Sequence, residues 1–221
     1  MFKNSKDLGL FRDECVDFIM SDASKDACSF KDKQDMLRLF GDKKLCELKQ
    51  VHGDLIVDCK DIHEGKVIEA DAIYSNDHNV VSLIKMADCA GILLYAKDLS
   101  AYVSLHAGRE GVLKGIVSKA IKLLESKGAR LDSILAYVSP HIKWCSYEVG
   151  SEIYVRAKKF CKEKDSKFYF DLESAIKSQL MVLESKNIYY EEADTFKEEG
   201  LFSYRRTKTS KRLGLFVSLK N

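Results

Sequence analysis

The apolar residues of the chain fall into short blocks, several of them rich in β-branched or aromatic side chains. Such blocks predict strands, here at residues 45–51, 55–57, 80–85, 91–96, 101–105, 134–138 and 213–219. Residues 97–100, with the sequence KDLS, separate two of these blocks and suit the turn of a β-hairpin. We therefore expect strands 91–96 and 101–105 to pair.

Other segments carry apolar residues at helical spacing and predict helices. They cover residues 8–19, 33–40, 112–126, 149–161 and 172–183. One stripe joins Val112, Ile116, Ala120 and Leu123, and Gly128 suits the end of that helix. Because the order mixes a hairpin with helices that cross over between strands, it predicts an α+β or mixed α/β fold.

The chain is long enough to bury a sizeable core, and nothing in it marks a domain boundary. Its 221 residues fit one large domain or two small ones. The 46% of apolar and 32% of charged residues are ordinary for a soluble globular protein. Since there is one proline, no Gly/Ser-rich linker and no internal repeat, we predict a single domain over residues 1–221.

The charge balance argues against two classes of partner. The 36 basic and 34 acidic residues are interspersed, and the net charge of +2 indicates neither nucleic acid nor a membrane surface. No stretch approaches the ~18 apolar residues that span a bilayer, and the N-terminus lacks the apolar run of a signal peptide. Together with seven cysteines and no CxxC pair, this favours free thiols in a reducing cytoplasm.

Three short stretches place metal-binding side chains at the ends of predicted strands. They are KQVHGD (49–54), ADC (87–89) and SLHAGREG (104–111), and they contribute His52, Cys89 and His106. Two imidazoles and one thiolate can hold zinc, with a fourth position left open for a water that the metal acidifies. The alternative is a buried cysteine beside two hydrogen-bonded histidines, and the spacing alone leaves both interpretations open.

Two further stretches have the composition of anion sites. The glycines of GREG (108–111), Gly108 among them, precede a predicted helix whose free N–H groups favour an anion. The basic run SYRRTKTSKR (203–212) contains Arg205 and Arg206, and a pair of arginines can clamp phosphate. An ordinary turn and a solvated loop are the alternatives. After Tyr204 the basic run has no interleaved aromatic residues, which argues against a single-stranded nucleic-acid platform.

Several motifs together resemble one protein family. They are KQVHG, EADAI, ADC, HAG with a following glycine-rich turn, CSYEVG (145–150), FSYRR (202–206) and the closing KRLGLFVSL. They run in the family's order from about residue 45 to the C-terminus, roughly four fifths of the chain. The chain thus resembles the YfiH family, also called multicopper polyphenol oxidase or laccase-like, peptidoglycan editing factor, and purine nucleoside phosphorylase.

The resemblance implies a fold, a metal and an activity. The family fold is α+β, with mixed sheets packed between helices, and is similar to a bacterial toxin deamidase that uses a cysteine and a histidine. The family's metal ligands fall on His52, Cys89 and His106, the same residues that the donor chemistry selects. Members are associated with phosphate-dependent cleavage of adenosine, inosine, guanosine and methylthioadenosine, and with adenosine deamination. The implied cofactor is zinc, and the implied partners are a nucleoside and phosphate.

For catalysis we expect Asp88, beside the metal ligand, together with Cys89 and His106. For substrate and phosphate binding we expect Arg205 and Arg206, with Gln50 and Gly108 as further candidates. The alternatives are an aspartate that only orients a ligand and arginines that only pair with surface acids.

Three other functions remain open at this level. Copper could replace zinc in a polyphenol oxidase, although classical multicopper enzymes need many histidines and the chain has five. Cys89 and His106 could act as nucleophile and base of a metal-free hydrolase. A non-enzymatic binding module is the last alternative, while quality control of cell-wall precursors would be a cellular role for the same site.

The sequence departs from the family pattern near the third motif. The family reads HAGWRG, whereas this chain has Arg109 and Glu110 at the tryptophan and arginine positions. Glu110 is expected to repel an anion, and Arg109, about 100° away around a helix, is not expected to replace the arginine. A family Cys-Thr pair also appears as Ala193-Asp194, and GPCCYEVG as KWCSYEVG. These differences concern substrate range and phosphate binding more than the metal ligands.

Overall fold

The computed structural model describes residues 3–63 and 65–220. The strands are β1 (Lys3–Asn4), β2 (Val16–Met20), β3 (Lys44–Glu47), β4 (Ile56–Asp58), β5 (Ala72–Ser75), β6 (Val80–Met86), β7 (Ala90–Ala96), β8 (Ala101–Ala107), β9 (Ile134–Val138), β10 (Glu148–Val149), β11 (Cys161–Lys164), β12 (Lys167–Phe170), β13 (Ile188–Tyr190) and β14 (Leu213–Leu219). The α-helices are α1 (Phe30–Leu37), α2 (Arg109–Leu113), α3 (Ile116–Ser126), α4 (Ser151–Arg156), α5 (Leu172–Leu180) and α6 (Tyr204–Thr207). Residues 1, 2, 64 and 221, which belong to the predicted domain, lie outside the described residues.

The strands form two large mixed sheets and one small sheet. The first has the order β1-β2-β14-β6-β3 and the second has the order β13-β9-β7-β8-β5-β4. Pairs β3/β6, β4/β5 and β9/β13 are parallel, and the other pairs in these two sheets are antiparallel. The third sheet, β10-β12-β11, is antiparallel. The predicted hairpin is confirmed, because Ala96 of β7 pairs with Ala101 of β8.

The two large sheets pack face to face, and helices cover their outer faces. Because side chains alternate along a strand, Leu93 and Tyr95 of β7 pack against the first sheet, while Ile92 and Leu94 pack against α3 and α5. On the other side Met36 of α1 contacts Val81, Leu83 and Phe216. The prediction of mixed sheets packed between helices is confirmed.

Three predicted helices differ from the structure. The segment 8–19 is not a helix: Val16, Phe18 and Met20 alternate inward as strand β2, because pairing with β14 buries that face. The predicted helix 112–126 is interrupted at Gly115, whose φ of +84° ends α2 and begins α3. The predicted helix 149–161 ends at Arg156, and residue 161 begins β11. None of the described helices is both long and apolar enough to cross a membrane.

The connection from β6 to β7 passes from the first large sheet to the second. It turns at Asp88, whose φ of +85° lies in the left-handed region that a residue with a side chain seldom adopts. The end of β8 lies at the same edge, because Gly91 of β7 pairs with His106. Residues from three chain segments therefore meet where the two sheets join.

Substitution of Gly111 by alanine is expected to destabilise the fold by about 1–3 kcal/mol. A Cβ atom at Gly111 would lie 2.5 Å from the carbonyl oxygen of Gly53, so the backbone of α2 or of residues 51–54 must move. Urea denaturation measures the change, with Gly9→Ala as a control because nothing lies within 4 Å of a Cβ there. Equal midpoints for the two variants would contradict this prediction.

Candidate metal centre

The three residues with metal-binding side chains lie together in the fold. One ligand atom from each of His52, Cys89 and His106 lies within 4.8 Å of the other two. The two imidazole rings are 4.8 Å apart between centroids and nearly perpendicular. Among residues 3–63 and 65–220, no other group of three histidine, cysteine or acidic side chains lies close enough together to hold an ion. Two nitrogens and one sulfur form a donor set that zinc takes in catalytic sites, with one position left open.

Asp71, to which the sequence analysis gives no role, holds two of the three ligands in place. Its buried carboxylate accepts a 2.8 Å hydrogen bond from Nδ1 of His106 and a 3.0 Å bond from the main-chain N–H of His52. It also accepts main-chain bonds from Val51 and Gly53. Because Nδ1 of His106 carries the donated proton, Nε2 is free for a metal, the usual arrangement of a ligating histidine with a carboxylate behind it.

Gly108 leaves the space in which the ligands meet. A Cβ atom there would lie 3.0 Å from Cδ2 of His52 and 3.1 Å from Sγ of Cys89. The helix that follows, α2, has five residues, so few aligned peptide dipoles act at its start. The absence of a side chain at Gly108 is thus explained by the room that the metal ligands need.

The thiol and imidazole form an ion pair when no metal is bound. Burial raises the pKa of Cys89, but the positive charge and hydrogen bond of His106, with a smaller effect of His52, lower it to about 6. Burial lowers the pKa of His106, but Cys89 and Asp71 outweigh burial and raise it to about 9. Cys89 is therefore a thiolate at neutral pH, which is the form that binds a metal or attacks a substrate.

The candidate ligands line a cavity of about 680 Å³, within the usual size of small-molecule sites. Tyr147 and Tyr204 give it aromatic walls. Its carboxylates are Asp88 and Glu110, while five cationic side chains line it: Lys49, Lys85, Arg109, Arg205 and Arg212. The excess of positive charge suits a small ligand that carries negative charge.

Asp88 lines this cavity, and both of its carboxylate oxygens already accept hydrogen bonds. Oδ1 accepts from Oγ1 of Thr195 at 2.8 Å, and Oδ2 accepts from the main-chain N–H of Arg205 at 2.6 Å. Asp88 therefore fastens the start of α6 beside Cys89. These contacts are those of a positioning residue.

The two adjacent arginines of the basic run have different surroundings. Arg205 lines the cavity, lies 5.2 Å over the ring of Tyr147 and donates to the carbonyl of Glu148. Arg206 is outside the cavity lining, and its guanidinium donates to four main-chain carbonyls, those of Thr195, Phe196, Glu198 and Leu201. These donors hold the preceding loop in place, and the expectation that Arg206 binds phosphate stays a prediction.

Gln50 lines the cavity and fixes its wall. Its amide group donates to the carbonyl of Lys85 at 2.7 Å and accepts from the N–H of the same residue at 2.8 Å. The side chain thus imitates a neighbouring strand at the end of β6. Gln50 thus shapes the site through the backbone of Lys85 and has one amide N–H left over.

Contacts with neighbouring side chains show how the site accommodates Arg109 and Glu110 in place of the family's tryptophan and arginine. Both side chains line the cavity, contrary to the expectation that Arg109 projects away. Glu110 accepts from Nε of Arg109 at 3.0 Å and from Nη2 of Arg156 at 2.5 and 2.7 Å. Burial raises the pKa of Glu110, but Arg156 and Arg109 outweigh it and lower the pKa below its ordinary value. Two guanidinium groups thus compensate the negative charge expected to repel an anion.

Replacing Asp71 by asparagine is expected to weaken zinc binding about 10–100-fold, because an amide no longer fixes the proton of His106 or the loop of His52. Competition with a chelator of known affinity measures the dissociation constant at pH 9, where the proton on His106 competes least with zinc. Asp54→Asn is the matched control, since Asp54 lies near His52 but pairs with Lys119 at the surface. Equal zinc affinities for the two variants would show that Asp71 has no positioning role.

Fold and site together define a class: an α+β protein with mixed sheets between helices and a His–Cys–His group in a cation-rich cavity. A family model described as "Multi-copper polyphenol oxidoreductase laccase" matches residues 22–220. The chain therefore belongs to this family, which includes the proteins named YfiH.

The relatives agree with this family in sequence and in fold. A purine nucleoside phosphorylase of Aquifex aeolicus is 35% identical over 173 residues, 78% of this chain and 82% of that protein. One of Campylobacter jejuni is 31% identical over 158 residues, 71% of this chain and 70% of that protein. The crystal structure of a Bacillus licheniformis protein named YfiH has a TM-score of 0.84 at 18% identity and covers 93% of each chain. The last match shows the fold.

Proposed function

We propose that this protein is a zinc-dependent purine nucleoside phosphorylase that acts on adenosine, inosine, guanosine and methylthioadenosine, and that it also deaminates adenosine. The observation that carries the proposal is the meeting of His52, Cys89 and His106, with Asp71 behind them, on the wall of a cation-rich cavity. Relatives of at least 30% identity bear the name purine nucleoside phosphorylase. We also propose that residues 1–221 are one domain.

His52, Cys89 and His106 would hold the metal through two nitrogens and one sulfur. A bound zinc ion would supply a Lewis acid and an acidified water. Asp71 keeps the proton of His106 on Nδ1, and Asp88 fastens α6 against the site. These contacts orient the ligands before a substrate binds.

Phosphate would bind to the cations at the metal end of the cavity. We assign Arg205 and Arg109 to this role, because both line the cavity and can form charge-assisted hydrogen bonds to oxygen. Burial and the negative charge of Cys89 raise the pKa of Tyr147 to about 12, so its phenol keeps a proton that it can donate to a departing base. Phosphorolysis needs both an anion site and such a donor.

Two other activities share these residues. The family description and the donor set both suit copper, which would make the protein a polyphenol oxidase. The ion pair of Cys89 and His106 suits a metal-free cysteine hydrolase. Zinc is preferred because the described residues offer one three-donor group, whereas classical multicopper enzymes need many histidines.

The test is to measure the metal of the purified protein and then incubate it with adenosine or inosine, with and without phosphate. Chromatography follows free base, ribose phosphate and inosine. We expect one zinc per chain, base release that requires phosphate, and inosine from adenosine. Base release without phosphate in a metal-free sample would favour the hydrolase, and oxygen uptake with phenols in a copper-loaded sample would favour the oxidase.

For the compartment we propose the cytoplasm. The seven cysteines of the chain are all free thiols in the structure. A set of unpaired cysteines, one of them a thiolate, fits a reducing environment.

A further inference from the structure

The cavity has a second cationic region at its end near Cys28. Lys85 of β6 and Arg212, just before β14, line the wall there together with Cys28. Burial and Asp26 raise the pKa of Cys28, while the charges of Lys85, Arg212 and Lys33 oppose this shift. The thiol is therefore uncharged at neutral pH, and three cations lie close enough to act on it.

Two carboxylates next to these cations, Glu47 and Asp26, are bonded to other groups. Glu47 accepts from Nζ of Lys33 at 2.8 Å and from Nζ of Lys85 at 3.2 Å, so one carboxylate serves two lysines. Asp26 accepts from two main-chain N–H groups, those of Cys28 and Arg212. Within the described residues, neither Glu47 nor Asp26 forms an ion pair with the guanidinium of Arg212.

Arg212 has donors left for a ligand. Its Nη1 donates to the carbonyls of Thr209 and Lys211 at 2.9 Å each. A guanidinium has five N–H donors, and within residues 3–63 and 65–220 its Nε and Nη2 make no hydrogen bond to protein and no ion pair to a carboxylate. Nε and Nη2 form the fork that binds two phosphate oxygens at once.

We propose that the region of Lys85 and Arg212 binds a phosphate monoester that the substrate carries, so that the cavity takes a nucleoside 5′-monophosphate in preference to the nucleoside. The inference rests on the proposed function for the nucleoside itself. A phosphate monoester has a charge of about −1.5 to −2 at neutral pH, so it gains charge-assisted hydrogen bonds from both side chains. In this proposal the inorganic phosphate is bound by Arg109 and Arg205 instead.

The test compares the binding of inosine and inosine 5′-monophosphate by calorimetry, in phosphate-free buffer. Without phosphate no phosphorolysis occurs, and neither ligand has an amino group to lose, so binding is measured apart from turnover. We expect the monophosphate to bind at least tenfold more tightly. Arg212→Gln should weaken its binding about 10–100-fold, the effect of a lost hydrogen bond to a charged group, and leave inosine unchanged.

Lys208→Gln is the matched control. Lys208 belongs to the same loop and, like Arg212, lies over the ring of Tyr204, but it is outside the cavity lining. The substitution Lys208→Gln removes the same charge and should leave the affinities for inosine and its monophosphate unchanged. Lys85→Gln tests the region without disturbing the carbonyl contacts of Arg212, and it should also weaken only the monophosphate.

Equal affinities for inosine and its monophosphate would overturn the proposal, even if inosine is cleaved. Free orthophosphate is the other source of the same chemistry. If Arg212→Gln weakens orthophosphate binding while the monophosphate has no advantage over inosine, the region takes the free ion and the proposal is wrong. A tenfold preference that Arg212→Gln removes supports the proposal whether or not turnover is found.

Discussion

Cys89→Ser is expected to reduce bound zinc from one ion per chain to almost none and purine release by at least about 10³-fold. A serine hydroxyl stays protonated at neutral pH and is a poor zinc ligand, whereas Cys89 is a thiolate there, with a pKa of about 6. Loss of the metal removes several kcal/mol of stabilisation from the transition state, and each 1.36 kcal/mol is tenfold in rate. Metal analysis and initial rates on the same samples measure both effects.

The matched control is Cys161→Ser, because Cys161 is likewise partly exposed but begins β11, outside the cavity lining. It should keep both zinc and activity. Alkylation separates metal binding from nucleophilic catalysis, since zinc protects the thiolate of Cys89 from iodoacetamide only if Cys89 is a ligand. Activity of Cys89→Ser equal to that of the parent would refute the metal centre as the site of catalysis.

The parts of the fold that the sequence predicts are the fully buried strands. Short runs of mostly apolar residues occur at 80–85, 91–96, 134–138 and 213–219, whereas a surface helix has apolar residues on one face only. Each run forms a strand whose ends lie within one residue of the predicted ones. Residues 8–19 have spacings that suit a helix and also alternate at 16, 18 and 20. The pairing of β2 with β14, about 200 residues away in sequence, selects the strand spacing over the helical one. No local sequence pattern indicates this pairing.

The meeting of His52, Cys89 and His106 was predictable because donor types at strand ends are rare enough to be noticed. The role of Asp71 was not, because it depends on a contact with His106 across 35 residues. The signal that could have shown it is an aspartate directly before the apolar residues of β5, where an unpaired carboxylate would be costly to bury.

Sequence alone also could not show which of Arg205 and Arg206 faces the cavity. Both belong to α6, which is about one turn long, so its orientation sets which guanidinium faces the cavity. That orientation is fixed by Asp88 and by the N-cap contact of Ser203 with the N–H of Arg206. Asp88 thus helps to determine which of the two arginines lines the cavity beside Cys89.

Zinc affinity is expected to rise about tenfold per pH unit between pH 6 and pH 9. In this range the metal-free site holds a Cys89 thiolate and a protonated His106, whose pKa values are about 6 and about 9. Zinc must displace the proton from Nε2 of His106, so each binding event releases one proton and lower proton concentration favours it. Below pH 6 the thiol is protonated too, so the slope should become steeper.

Asp71→Asn gives this prediction its sharpest check. The carboxylate of Asp71 is one of the groups that raise the pKa of His106, so an amide should lower that pKa and end the rise in affinity at a lower pH. Competition with a chelator between pH 5.5 and 8.5, corrected for the chelator's own protonation, measures the slope for both proteins. A slope near zero for the parent between pH 6.5 and 8.5 would mean that His106 is neutral before zinc binds. The thiolate would then lack the cation that lowers its pKa.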